Sequence, residues 1–448
     1  MTQSRAAVIL AAGLGTRMNS DLPKCLHPVA GRPMMNWTIA LARECGAEQI
    51  VTVYGAKSTG VGDAGEAAGT LTALQDPPLG TGHAVLAAAD TMSGFEGPAI
   101  VLYGDTPLIR AETIERVFAA LEDGASVAVL GFEPEQPGAY GRLIEDESGA
   151  LKRIVEAKDA SPEELKVRLV NSGVLAAPAP LLFDLLSNVT NENANGEYYL
   201  TDVVGLAVDR GLRAVAVRGD ADEVMGVNSR ADLALAGAAF QERRRSDAMR
   251  DGATLVAPET VYFSYDTKLG RDVLIEPNVV FGPGAIVEDR AVVHAFSHLE
   301  GCVIREGAQV GPYVRLRPGA DIGRNAKVGN FVEVKKSQLG EGAKASHLSY
   351  IGDAKIGANA NIGAGTITCN YDGFGKHKTV IGEGAFIGSN SSLVAPVTIG
   401  AGAFTGSGGV ITDDVPDDAL ALGRVRQVNK EGWAARFRSA MQKRKTER

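Results

Sequence analysis

Beyond residue 260 the chain repeats with a period of six, and that period leaves few folds open. Leu269, Ile275, Phe281, Val287, Val293 and Leu299 are evenly spaced, and after a one-residue slip the series continues as Ile304, Val310, Leu316, Ile322, Val328 and Val334. Two further slips lead through Leu339, Ala345 and Ile351, then Ile356 and Ile362. After an interruption at about 368 to 380 the series resumes as Ile381, Ile387, Leu393, Ile399, Thr405 and Ile411. Glycine often follows the aliphatic residue, and a small residue commonly sits four positions after it. Such a repeat marks a β-solenoid. Each hexad supplies a short strand whose aliphatic residue points into a narrow core, and a tight corner that favours glycine or another small residue. Three hexads complete one turn of a triangular prism. A β-sandwich would need period-two alternation and hairpin turns, and neither is present.

The first half follows a different rule. Residues 6–10, 49–54, 99–103 and 126–132 are short apolar runs rich in Val, Ile, Leu and Ala, whereas 33–45, 111–122 and 199–210 carry helical spacing. Strands alternating with helices predict an α/β domain with a mostly parallel twisted sheet covered on both faces. Ligands in such sheets sit beyond the carboxyl ends of the strands, where the winding reverses. Residues 229–250 read as one long helix with Ser229 as N-cap. The expected organisation is therefore 1–228, a linker helix over 229–250, and a solenoid over 251–448 with a C-terminal capping segment. The Arg243, Arg244, Arg245 run is expected to be a solvated helix face.

Charge and cysteine content narrow the function. The formal net charge is −9, so no global basic field recruits nucleic acid or an anionic membrane. A small anionic substrate would need a local positive pocket. Cys25, Cys45, Cys302 and Cys369 are far apart in sequence and form no Cys-x-x-Cys pair, which argues against structural zinc and fits reduced thiols. Residues 5–13 imitate the core of a signal peptide but are short and run into a glycine-rich turn, so they read as a buried strand. No other apolar run approaches the ~18 residues of a membrane span. A cytoplasmic location without stable membrane association is expected.

That turn, Leu10-Ala-Ala-Gly-Leu-Gly-Thr-Arg-Met18, is followed by Leu22-Pro-Lys24. It is neither a P-loop nor a dinucleotide fingerprint. It does place backbone N–H groups after a buried strand, with Arg17 and Lys24 as fixed positive charge, which suits phosphate oxygens. Asp105 ends another apolar run and has the hard carboxylate that Mg²⁺ prefers.

These residues, together with Leu79-Gly-Thr-Gly-His-Ala84, Tyr140-Gly-Arg142, Glu156-x-Lys-Asp159, Asn171-Ser-Gly173, Gly196-Glu-Tyr-Tyr-x-Thr-Asp202 and Gly226-Val-Asn228, resemble the sugar-nucleotide pyrophosphorylases. The repeat half resembles the left-handed parallel β-helix of hexapeptide acyltransferases. Nearly the whole chain is similar to the bacterial family that joins N-acetylglucosamine-1-phosphate uridyltransferase to glucosamine-1-phosphate acetyltransferase. The resemblance implies that Leu10, Ala11, Gly13, Lys24, Gln75, Gly80 and Thr81 hold UTP. It implies Tyr103, Gly141, Glu156, Asn171 and Asn228 for N-acetylglucosamine 1-phosphate, and Asp105 with Asn228 for Mg²⁺. Arg17 and Lys24 would stabilise phosphoryl transfer.

Polar exceptions within the repeat mark a second site: Arg315-Leu-Arg317, Asn330 to Lys336, His347-Leu-Ser-Tyr350, Asn359-Ala-Asn361 and Cys369-Asn370-Tyr371. Acetylating an amine requires its ammonium to lose a proton, and histidine is the side chain suited to that near neutral pH. The resemblance implies His347 as the base, oriented by Glu333, with Arg317, Lys335, Tyr350 and Asn361 on glucosamine 1-phosphate. It implies Ala364, Asn370, Tyr371, Ser389, Ser407 and Arg424 on acetyl-CoA. It further implies a homotrimer in which the loop at the interruption reaches a neighbour. Ser407 and Arg426 depart from the alanine and proline of that family. The competing expectation is a monofunctional nucleotidyltransferase whose solenoid is only an oligomerisation or regulatory module.

Overall fold

The computed structural model describes residues 4–13 and 15–446; Leu14 of the glycine-rich turn and residues 447 and 448 of the basic tail lie outside the described residues. The chain divides into two compact units, Met1–Arg244 and Arg245–Arg448. The division falls inside the helix Arg230–Arg250.

The first unit is built on a nine-stranded sheet. Arg5–Leu10 lies at its centre, parallel to Ala47–Gly55 on one side and to Pro98–Tyr103 on the other. Because the chain first winds outward through Ala47–Gly55 and Leu71–Gln75 and then returns to the opposite side of Arg5–Leu10, the winding reverses at the central strand. The crevice at a topological switch point therefore opens beyond Leu10 and Tyr103. Alternation explains the continuous apolar runs. Ala6, Val8 and Leu10 join one buried cluster and Ala7, Ile9 and Ala11 another, as do Ala99 and Val101 against Ile100 and Leu102. Both faces are covered, so neither can carry polar residues without cost.

The sheet departs from the expected form in one respect. Val170–Pro178 runs antiparallel between Pro98–Tyr103 and Val127–Phe132, and the hairpin Arg142–Glu145 with Leu151–Val155 branches from it. These strands are short or interrupted by polar residues such as Asn171, which hides their period. The sheet is mixed rather than mostly parallel on that side.

The linker helix starts at the expected cap. The Ser229 hydroxyl accepts from Asp232 N–H at 3.2 Å while the Asp232 carboxylate accepts from Ser229 N–H at 2.9 Å and Asn228 N–H at 3.0 Å, a reciprocal capping box. Its arginine run is not a solvated face. Arg243 donates to the Leu108 carbonyl at 2.9 Å. Arg245 is only 8% exposed and donates to the carbonyls of Val261 and Glu259 at 2.9 and 3.0 Å. A guanidinium can serve several carbonyls at once, so arginine ties a helix to irregular backbone where lysine would not.

In the second unit three parallel sheets of ten, eight and eight strands form the walls of a prism. Every aliphatic residue of the period-six series occupies the inward place. One wall stacks Ile275, Val293, Val310, Val328, Ala345, Ile362, Ile387 and Thr405. Another stacks Val287, Ile304, Ile322, Leu339, Ile356, Ile381 and Ile399. The small residues four places on, such as Ala285, Ala308, Ala326, Ala343 and Ala360, are also fully buried and fill the prism near its corners. At the interruption Thr368 takes the inward place beneath Leu393, its hydroxyl satisfied by the carbonyls of Tyr350 and Gly352. Ile322→Ala is expected to lower the stability of this unit by about 2–5 kcal/mol, read as an earlier urea midpoint for loss of its β-sheet signal.

Candidate functional site

The loops that follow the central strands carry the predicted nucleotide-end residues, and backbone bonds tie those loops together. Gly104 N–H donates to the Leu10 carbonyl at 3.0 Å, Ala11 N–H to Val53 at 2.9 Å, and Val227 N–H to the Asp105 carbonyl at 2.9 Å. The result brings three residues from distant parts of the chain to one point: the Lys24 ammonium pairs with the Asp105 carboxylate and donates to the Asn228 amide oxygen at 3.1 Å. Lys24 and Asp105 side chains are 11% and 16% exposed. Two hard oxygens converging on a positive charge form a donor set that suits a divalent cation sharing its remaining ligands with phosphate and water. The residues thus fit such a cation, with the Lys24 ammonium as its stand-in.

A second cluster lies beside this one. Asn171 N–H donates to the Gly141 carbonyl at 2.8 Å, and a Cβ placed on Gly141 would lie 3.4 Å from both Glu156 carboxylate oxygens. Gly173 is held at φ +92, where a Cβ would meet the Tyr103 ring at 2.6 Å. Burial raises the pKa of the Tyr103 phenol, with Asp105 and Glu156 adding to the effect. Gly141, Glu156, Asn171 and Tyr103 are therefore neighbours. Thr201 donates to Glu156 at 3.2 Å, a partner the sequence reading missed.

The glycines of the nucleotide end divide by cause. Gly15 at φ +59 would place a Cβ 2.5 Å from Lys24 Cβ, and Gly80 at φ +111 would place one 2.6 Å from the Tyr198 carbonyl. Those two are required by the chain's own packing. At Gly13 a Cβ would meet nothing within 4 Å, so open space adjoins its backbone. Gln75, buried at the end of its strand, donates from Nε2 to the Gly80 carbonyl at 2.9 Å, which commits one side of its amide to the turn and leaves Oε1 as the acceptor. Thr81 accepts from Leu200 N–H at 3.1 Å. Arg17 lies exposed on the short turn Thr16–Met18. Burial pushes the Cys25 thiol up to about 12, so it remains a neutral neighbour of this site.

In the solenoid, residues one coil apart touch. His347 stands above Asn330, and its Nδ1 hydrogen-bonds the Asn330 amide oxygen at 2.7 Å. Glu333 is not the orienting group: its carboxylate accepts from Arg317 at 2.8 Å. The reason is register, since Glu333 lies on the wall beneath Tyr350, past the corner that holds Asn330 and His347. The 17-residue spacing between Asn330 and His347 was the signal available in the sequence.

His347 also begins a column. Its carbonyl accepts from Gly365 N–H, the Ala364 carbonyl from Asn390 N–H, and the Ser389 carbonyl from Gly408 N–H, at 3.3, 2.7 and 2.8 Å. One corner therefore carries His347, Ala364, Ser389 and Ser407 in successive coils, spaced about 4.8 Å apart. Arg424 closes the column, its Nε 3.6 Å from where a Cβ on Gly406 would stand. Arg317 and Lys335 follow one another on the adjoining wall, giving two stacked cations. Asn361 lies on the wall before the corner. Asn370 is nearly buried, its amide held by Asp353 and 3.5 Å from the Tyr350 hydroxyl. Tyr371 opens the loop at the interruption, where Asp372 accepts from Phe374 and Gly375 N–H and pairs with His377. Phe374 at the tip is 99% exposed. No helix among the described residues is long and apolar enough to cross a membrane.

Comparison with known proteins agrees with both halves. Residues 7–166 match the MobA-like NTP transferase domain, and residues 266–301, 301–336 and 378–413 match the bacterial transferase hexapeptide (six repeats). The chain is 67% identical over 445 residues to the bifunctional protein GlmU of Maricaulis maris, covering 99% of this chain and 98% of that protein. It is 59% identical to the GlmU protein of Hyphomonas neptunium, covering 98% of this chain and 95% of that one. It is 56% identical to that of Azorhizobium caulinodans, covering 98% of each.

Glu156 yields a pH prediction. Burial raises its pKa, and Asp159 and Asp202 raise it further, against the lowering bond from Thr201. An acid that holds its proton more tightly folded than unfolded disfavours folding as pH rises past the ordinary carboxylate value of ~4.3, and most strongly above its folded pKa. Glu156→Gln is expected to raise the thermal midpoint near neutral pH and to leave it unchanged in acid below that value, as followed by calorimetry of both proteins.

Proposed function

The chain belongs to the family of bifunctional GlmU proteins, and from that membership we propose how its two sites divide the synthesis of UDP-N-acetylglucosamine. The solenoid transfers an acetyl group from acetyl-CoA to glucosamine 1-phosphate. The α/β unit then transfers uridylyl from UTP to the resulting N-acetylglucosamine 1-phosphate and releases pyrophosphate.

The observation that carries this pairing is the His347 corner. A scaffold needs small or solvent-tolerant outward residues and has no use for a histidine locked on an asparagine at the head of a small-residue column, beside stacked cations. That corner favours the bifunctional reading over an inert solenoid. The Asn330 amide oxygen accepts from Nδ1–H, which leaves the Nε2 lone pair to take a proton from the substrate ammonium. The freed amine attacks the thioester carbonyl, the C–S bond breaks, and the departing CoA sulfur takes the second proton that the nitrogen sheds as the amide forms, so that CoA leaves as the thiol. Arg317 and Lys335 suit the sugar phosphate. The column Ala364, Ser389, Ser407 and Arg424 gives the coenzyme a groove of small residues ending in a positive charge, with Asn370 and Tyr371 at its side. The exposed Phe374 loop supports a homotrimer in which that loop meets a neighbour.

At the other site Gly141, Glu156, Asn171 and Tyr103 hold the N-acetylated sugar while Leu10, Ala11, Gly13, Gln75, Gly80 and Thr81 hold the nucleotide. Its phosphate oxygen is thereby aligned with the α-phosphorus, and alignment is the larger part of catalysis in phosphoryl transfer. Asp105 and Asn228 would hold Mg²⁺, which when bound neutralises charge on the phosphate oxygens. Arg17 and Lys24 contribute fixed positive charge to the same end.

The test gives the protein glucosamine 1-phosphate, acetyl-CoA, UTP and Mg²⁺, and identifies products as each reagent is omitted. His347→Ala is expected to lower CoA release by about 10²- to 10⁴-fold and to spare pyrophosphate release from UTP and N-acetylglucosamine 1-phosphate. Asp105→Ala is expected to do the reverse. Equal loss of both activities in either variant would signal misfolding, and unchanged turnover of Asp105→Ala at saturating Mg²⁺ would refute its role as ligand.

A further inference from the structure

The Lys24 ammonium occupies the point on which the Asp105 and Asn228 oxygens converge. Its backbone has little freedom. Lys24 opens the short turn Lys24–Leu26, its carbonyl accepts from His27 N–H, and Gly15 packs so closely that even one added carbon would lie 2.5 Å from Lys24 Cβ. The freedom that remains lies in the four-carbon stem. The surroundings are partly buried: Lys24 and Asp105 side chains are 11% and 16% exposed, and burial chiefly, with Asp105 adding and Lys24 opposing, raises the pKa of the neighbouring Cys25. The turn beside Lys24 leaves open space at Gly13. A divalent cation on Asp105 and Asn228 requires the place that Nζ holds, and two positive charges cannot share it.

We propose that Lys24 is a built-in competitor for the divalent-cation position: its ammonium clamps Asp105 to Asn228 until nucleotide phosphates draw it off, so cation and nucleotide enter together rather than metal first. The proposal rests on Asp105 and Asn228 as the metal ligands. A cation arriving alone must break the ion pair and leave an ammonium stranded beside it. One arriving with phosphate does not, because the displaced ammonium finds anionic oxygen. By linkage, nucleotide and cation must raise each other's affinity by the same factor. The same lysine then serves two steps, holding the ligands in position beforehand and neutralising phosphate afterwards.

The experiment measures Mn²⁺ binding to the full-length protein without nucleotide, by the loss of the free-ion EPR signal, with thermal melting in chelator to confirm that each variant is folded. Lys24→Met is expected to bind Mn²⁺ on the order of tenfold more tightly than the unaltered protein, and Lys24→Gln, which keeps a polar head without the charge, is expected to do the same. Adding Asp105→Asn to Lys24→Met should remove the gain. If both neutral variants bind Mn²⁺ no better than the unaltered protein, the competitor role is overturned, whereas the ligand assignment stands or falls separately on the Asp105→Ala turnover. If Lys24→Met tightens binding and the added Asp105→Asn leaves that gain intact, the cation sits elsewhere and the assignment itself fails.

Discussion

Closure of the chain on itself once per coil is the constraint on which the second unit depends. Most circuits take 17 or 18 residues, the one with the interruption 25, and each returns the backbone to the same corner, one strand spacing higher, so its N–H and C=O groups pair with the coils above and below. Residues remote by helix or hairpin logic thereby become nearest neighbours. The His347 to Asn330 bond, the Arg317 to Glu333 pair and the His347, Ala364, Ser389, Ser407 column are all products of that return. The constraint also explains why a site can be built here at low structural cost. Inward places must be aliphatic, but outward and corner places have only to be compatible with the turn.

The first unit obeys a different constraint. Its central strands are covered on both faces, so polar residues are excluded from them and collect where they end. Leu10, Tyr103 and the 226–228 segment are stitched together there by backbone bonds, and the chemistry-bearing side chains are carried on those stitches. Asn228 is held from two sides, by Val227 N–H on the Asp105 carbonyl and by Asp232 accepting its own N–H. Asp232 also caps the linker helix, so one carboxylate sets both the start of that helix and the position of an oxygen that meets Lys24. Rigidity at the site comes from such double use of single groups.

Much of this was legible beforehand, and the misses have definite causes. Period six identified every inward residue from Val287 to Ile399 on its wall, because a side chain in a prism has only one apolar direction to point. The Lys24, Asp105 and Asn228 cluster was reachable only through resemblance, since nothing local links segments so far apart. The resemblance put Glu333 on His347, but Glu333 pairs with Arg317 and Asn330 meets His347, because sequence distance means little where neighbours are a coil away. Arg243 and Arg245 were read as solvated because a run of like charge usually is. Their true partners are backbone carbonyls of Leu108, Val261 and Glu259, which leave no mark in residue type.

The sequence by itself determined the two architectures, their order along the chain and the residue types available for chemistry. Those follow from periodicity and from the exclusion of polar groups from buried strands, which are one-dimensional signals. Only the tertiary structure decided the partners: Asn330 rather than Glu333 on His347, Asp353 on Asn370, and an ammonium between Asp105 and Asn228. Partner choice depends on register between coils and on the meeting of loops from separate strands. Both are set by packing in three dimensions, and it is this choice that turns a list of polar residues into sites with a direction for each proton and charge.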